Sequence, residues 1–173
     1  MLFRSGAVLT DAFAGAGTGD LAIVPLRADR SNLRQVEGLI DELSDRLAGS
    51  LFIVDEASDA SRDVVVLFEG DERDLKAAAA LSEHLQCPLH VLAVEVDASA
   101  PSQHLERATH LLSTLGDRVS VEPAPGNDDA ALMKHISADA PGTLVIDRDR
   151  ISQRRTLIAD ALRQLNTSIY LRD

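Results

Sequence analysis

From residue 63 onward, short apolar runs alternate with segments whose apolar positions recur every three or four residues. Asp63-Val64-Val65-Val66-Leu67-Phe68 is β-branched and closes at Glu69-Gly70-Asp71, which predicts a strand buried on both faces. Leu75, Ala78, Leu81 and Leu85 then trace one face of a helix that stops before Pro88. Leu89 to Val96 is the next strand. Ser102 stands where a helix cap belongs, ahead of a stripe made by Leu105, Ala108, Leu111, Leu112 and Leu115, with Gly116 as its stop. Val119 to Glu122 alternates as a short strand, ended by Pro123 and Pro125, and Gly126-Asn127 turns the chain. Asp128 and Asp129 suit a helix start, and Leu132, Met133 and Ile136 follow, with a stop near Pro141-Gly142. Leu144 to Ile146 predicts a fourth strand. Leu157, Ile158, Ala161, Leu162 and Leu165 mark a last helix, and Thr167 to Leu171 a fifth strand.

Strands that alternate with helices call for right-handed crossovers and a parallel sheet covered on both sides. The chain's beginning repeats the end of this pattern. Gly19-Asp20-Leu21-Ala22-Ile23-Val24 matches Gly142 to Asp147 in texture, and Val36, Leu39, Ile40, Leu43 and Leu47 match the stripe of the last helix. Ser50 to Val54 matches Thr167 to Leu171, and the first copy is longer between strand and helix, over Leu26 to Ser31. Residues 1–58 therefore read as the C-terminal half of one copy, and 62–173 as a complete one, with Ala57 to Ser61 as a polar linker. Residues 7–16 are the candidate for the helix before the first strand. Two strands and two helices are too few to fold alone. They either dock on the complete copy or belong to a longer tandem protein.

Composition narrows the partners. Aromatic residues are 3% of the chain, so the core is aliphatic. The formal net charge of −11 speaks against nucleic acid and against an anionic membrane surface. No apolar run is long enough to span a bilayer, and the N-terminus lacks the pattern of a signal peptide. Cys87, the single cysteine, reads as a partly buried thiol in a reducing cytoplasm.

Candidate chemistry is thin. His104 and His110 lie six apart, and His84, His90 and His135 fall in separate elements, so no metal site is expected. A phosphoacceptor site of the bacterial receiver kind needs an acidic residue ending the third strand and a Lys after the fifth, and here Glu122-Pro123 ends that strand and no Lys follows Lys134. Arg154-Arg155 reads as a solvated basic pair. No catalytic residues are assigned, and the expected class is not an enzyme.

The element order and the texture of Val64 to Asp71 and Val91 to Val96 resemble the universal stress protein family. That resemblance implies an α/β three-layer open parallel sheet of strand order 3-2-1-4-5, with a partial second copy. It implies a ligand crevice at the switch point between the first and fourth strands, beyond their carboxyl ends. The candidate residues there are Glu69, Gly70, Asp71, Val94, Gly126, Arg148 and Arg150. Members of the family that bind ATP carry a glycine-rich loop after the fourth strand, because backbone amides must approach the phosphates. Asp147 to Leu165 contains no glycine, and the first copy has only Gly38 in the equivalent stretch. The expectation is a cytoplasmic, non-catalytic protein with no resident cofactor. It acts through its fifth strands, Leu51 to Val54 and Ser168 to Leu171, as a homo-oligomer or a paired repeat, with a small ligand at the switch point. Two alternatives stand beside it: a regulator binding ATP or AMP through a non-standard loop, and a cytoplasmic regulatory fragment of an ion antiporter.

Overall fold

The computed structural model describes residues 21–43, 49–59, 62–95, 102–115 and 118–173. In chain order the elements are β1 (Leu21–Leu26), α1 (Leu33–Leu43), β2 (Ser50–Asp55), β3 (Val64–Phe68), α2 (Glu72–Leu85), β4 (Leu89–Ala93) and α3 (Gln103–Leu112). They continue as β5 (Val119–Pro123), α4 (Asp129–Asp139), β6 (Thr143–Asp147), a 3₁₀ turn over Arg148–Arg150, α5 (Arg155–Gln164) and β7 (Ser168–Arg172).

All seven strands form one sheet, ordered β1-β2-β7-β6-β3-β4-β5. From β7 to β5 every neighbour is parallel, which is the order 3-2-1-4-5 within residues 62–173. β1 and β2 are parallel to each other, and β2 runs antiparallel to β7 through Leu51↔Leu171, Phe52↔Tyr170 and Ile53↔Ile169. The expected docking of the partial copy on the complete one is thus made through the two fifth strands.

Helices cover both faces. On one face α1, α4 and α5 enclose a core that runs without a break from Val24 and Leu51 to Leu92 and Leu132. On the other, α2 and α3 pack Leu75, Ala78, Ala108 and Leu112 onto Val64, Val66, Val91 and Val145. The five residues of β3 are all buried, as a strand covered on both sides must be. β1 alternates instead: Ala22, Val24 and Leu26 are buried, while Leu21 and Ile23 are 51% and 59% exposed. Among the described residues no helix is long and apolar enough to cross a membrane.

The two halves are tied by more than the strand pair. Arg30, in the β1–α1 turn, donates to the carbonyls of Leu162 and Leu165 at the end of α5 and pairs with buried Asp55 at 3.1 Å. Arg163 reaches Glu37 at 2.9 Å, and Arg155 reaches Asp41 at 2.7 Å. The linker is drawn close over Gly142, whose carbonyl accepts from Ser58 Oγ at 2.7 Å.

Several expectations of detail give way. Ser102 makes no capping bond; the Glu95 carboxylate instead accepts from the backbone N–H of His104 (2.8 Å) and Leu105 (3.4 Å). A carboxylate serves this helix end better than a hydroxyl because it also meets the positive end of the dipole. The second strand of the complete copy ends at Ala93 rather than Val96. The strand-to-helix connections are of nearly equal length in the two halves (27–32 and 148–154), so the extra length of the first copy falls after the start of α1. The helix expected over 7–16, and Leu47, Val96, Gly116 and part of the linker, lie outside the described residues.

Candidate functional site

The parallel strands β3 and β6 lie side by side and their connections leave in opposite directions, which opens a crevice at their carboxyl ends. The opening is about 560 Å³. Glu69, Gly70 and Asp71 line it from the end of β3, Asp147 and Arg150 from the end of β6, and Arg73, Lys76 and Arg107 add positive charge. Gly70 sits at φ 108, and a Cβ there would stand 3.0 Å from His104 Nε2, so only glycine serves. Of the sequence candidates, Glu69, Gly70, Asp71 and Arg150 are therefore brought together.

The other three are not. Arg148 turns to the opposite side, donating to the Gly49 carbonyl at 3.0 Å and pairing with Asp173 at 2.8 Å. The side chain of Val94 is buried, and its carbonyl already accepts from His104 Nδ1 at 2.6 Å. Gly126 belongs to the β5–α4 loop, where its nearest neighbours are Asp128 and Ala131.

Two ion networks floor the region. The first centres on Arg154, which is 4% exposed and not the solvated residue expected from its sequence. Its guanidinium donates to Glu69, to the backbone and side-chain oxygens of Asn127 (2.7 and 2.6 Å), and to Asp129 at 3.2 Å. Asp129 also accepts from the backbone N–H of Leu157 in the first turn of α5, at 3.0 Å. A helix N-terminus is a natural anion site because its free N–H groups and dipole both favour negative charge. Here the chain's own carboxylate occupies it. Asp128, as expected, caps α4 by accepting from Ala131 N.

The second network centres on buried Arg172, at the end of β7. It donates to Asp74, meets Asp71 at 2.9 Å and lies 3.8 Å from Asp147. Asp74 is completely buried, and burial raises its pKa to about 6 despite the guanidinium beside it. Asp71 goes the other way: the hydrogen bonds from Arg73, with Arg172 nearby, lower its pKa to about 2.

Sequence reading missed Arg154, Asp129, Asp74 and Arg172. Three of them carried a signal in their spacing. Asp74 precedes buried Ala78 and Ser82 by four and eight positions, and Arg154 precedes buried Ile158 by four, so both lie on the covered stripe of their helices. Arg155, one residue on, faces solvent. Asp129 precedes buried Leu132, Met133 and Ile136 by three, four and seven positions and so lies on the covered stripe of α4, whereas Arg172 carried no such sign, since its partners come from distant segments.

At the amino ends of the strands, on the side away from the crevice, His90 joins Asp63 and Ser120. Its Nε2 is 2.8 Å from Asp63 Oδ2, and its Nδ1 is 2.5 Å from Ser120 Oγ. His90 and Ser120 are register partners on β4 and β5, a closeness that no spacing along the chain displays.

No family model and no curated protein matches the chain. A solved structure similar to it is the cytoplasmic domain of a prokaryotic cation chloride cotransporter. The TM-score is 0.53 and the identity 13%, over 95% of this chain and 67% of that one. The likeness is one of fold.

Proposed function

We propose that this chain is a non-catalytic domain of the universal stress kind that acts by association, as a cytoplasmic regulatory module of an ion transporter. The observation that carries the association reading is the filled anion site at the start of α5. In a nucleotide-binding sheet of this order, phosphates need free amide donors there. Asp129 takes the Leu157 amide, and Arg154 is held by Glu69, Asn127 and Asp129 together. A phosphate would have to displace the Asp129 carboxylate from both the Leu157 amide and Arg154, so its gain is offset by the bonds that carboxylate already makes.

The transporter reading rests on the fold likeness, which extends over nearly the whole chain to a domain of such a protein. The association surface is β1, the edge strand of the sheet among the described residues, with the exposed face of Leu21 and Ile23. Its occupant is a parallel strand followed by a covering helix, because β6, the counterpart of β1, receives this from β3 and α2.

A thermal-shift titration with ATP, ADP and AMP, with and without Mg²⁺, tests the reading. The expected result is no rise in Tm at millimolar nucleotide. Arg73, Lys76, Arg107 and Arg150 around the crevice keep the nucleotide alternative specific: a rise of several degrees that disappears in Arg150→Ala would establish it and overturn the association reading. The reading frame upstream of this sequence tests the transporter assignment, which membrane-spanning segments in that frame would support.

A further inference from the structure

At the far edge of the sheet, β5 and α4 bring together three side chains, two of them at helical spacing and the third from a separate strand. Glu122 projects from β5. His135 and Asp139 stand one helical turn apart on the same face of α4. His135 Nε2 lies 3.0 Å from Glu122 Oε1 and 3.9 Å from Asp139 Oδ2. One donor atom from each residue falls within 4.8 Å of the other two.

The charges around this cluster differ from those of the arginine-centred pairs, and from Asp63–His90 and Glu95–His104, where one carboxylate meets one histidine. Asp71, Asp74 and Asp147 share Arg172, Glu69 and Asp129 share Arg154, and Glu37 meets Arg163. Among the described residues, neither Glu122 nor Asp139 pairs with an arginine or a lysine; both turn to the one imidazole. Two carboxylates converging on a single histidine leave a demand for positive charge that the histidine alone does not meet.

The donor set identifies the ion. Imidazole with two carboxylates suits zinc and its neighbours among the divalent transition metals, whereas magnesium and calcium prefer oxygen throughout. Donors bound tetrahedrally at the usual zinc distances lie about 3.4 Å apart. The two His135 separations bracket that value, and all three side chains are partly exposed, so small rotations bring them to one ion. Three protein ligands leave a fourth position for water or for a donor from another molecule.

We propose that Glu122, His135 and Asp139 form a binding site for one divalent transition metal of the zinc class. The ion joins α4 to β5, the edge strand farthest from the seam between the two halves, and neutralises part of an acidic surface. This assignment is independent of the association reading and of the crevice.

The test uses the full chain after treatment with a chelator. Zn²⁺ is titrated by calorimetry and by thermal shift, and Co²⁺ serves as an optical probe of coordination. The expected result is one equivalent bound, a raised Tm, visible Co²⁺ bands of a low-coordinate site, and no response to Mg²⁺. His135→Ala weakens Zn²⁺ binding by about tenfold or more. The double variant Glu122→Gln/Asp139→Asn does the same while leaving the histidine in place, and so separates lost ligation from lost folding. Absence of saturable binding in the unaltered chain would reduce the cluster to an ion pair and overturn the proposal. Binding of full strength in either variant would also overturn it, and would redirect attention to His90 and Asp63.

Discussion

Asp71 and Asp74, three residues apart and both touching Arg172, titrate with opposite effects on stability. Asp74 has its pKa raised from 3.8 to about 6, so the folded chain holds that proton more tightly than the unfolded chain. Its contribution is full below pH ~4 and is lost as pH rises through about 6, a change of about 3 kcal/mol. Asp71, lowered to about 2, contributes stability that is present above its ordinary range near pH 4 and is lost as pH falls toward 2. Asp74→Asn is therefore expected to remove the fall in stability between pH 4 and 6, while the loss below pH 4 persists. Urea denaturation across that range reads both slopes, and an unchanged slope between pH 4 and 6 in the variant would assign it elsewhere. Gly142 offers a second residue-scale prediction. A Cβ there would lie 2.4 Å from the Asp59 carbonyl oxygen and 3.1 Å from that of Arg62. Neither backbone atom can rotate away, so Gly142→Ala costs about 1–3 kcal/mol by displacing the linker. A melt within 1 °C of the unaltered chain would contradict that close approach. At this scale legibility was uneven: Arg154 could have been told from Arg155 by helical spacing, whereas nothing in the residues near Gly142 announces the carbonyls above it.

The strands were the most legible elements, because a β-branched run between turn residues has few other uses. Their surroundings were less so. β1 and β6 look alike in sequence, yet β6 is buried nearly throughout and β1 only on alternate residues. The difference lies in their neighbours, which composition does not record. A row of register partners crosses the sheet through Ile23, Phe52, Tyr170, Val145, Val66, Val91 and Val121. α2 and α3 cover its middle. Toward β1 the cover ends among the described residues: Val145 is buried, Phe52 and Tyr170 are half-buried and meet edge to face at 5.6 Å, and Ile23 is mostly exposed. An open edge strand with an apolar face promotes pairing between molecules, and lysine on such an edge is a usual safeguard. The chain is therefore expected to self-associate as its concentration rises, and Ile23→Lys to shift it toward monomer with little change in Tm. Sedimentation velocity over a concentration series decides this, and identical profiles for both proteins would argue against the β1 face.

For the whole molecule, the decisive feature is the seam between β2 and β7. In the sequence it was one of two possibilities, docking or a place in a longer tandem protein, suggested by the shared texture of the two strands and the need of each for an edge to pair with. The antiparallel sense of the pair did not follow, since alternating apolar residues suit either direction. The helix expected over residues 7–16 falls outside the described residues, and of the crevice candidates Glu69, Gly70, Asp71 and Arg150 line the opening while Val94, Gly126 and Arg148 do not. Arg148 was misjudged because a 3₁₀ turn, unlike a strand, sends residues two apart, here Arg148 and Arg150, to different sides. The seam also sets an order in time. β2 finds its partner about 120 residues later in the chain, and at ~5–20 residues per second a ribosome takes on the order of ten seconds to supply it. Until then Leu51, Ile53 and the underside of α1 lack the cover that β7 and α5 give them in the finished fold. The first half is therefore expected to complete its core late in synthesis, when the strand that receives it emerges.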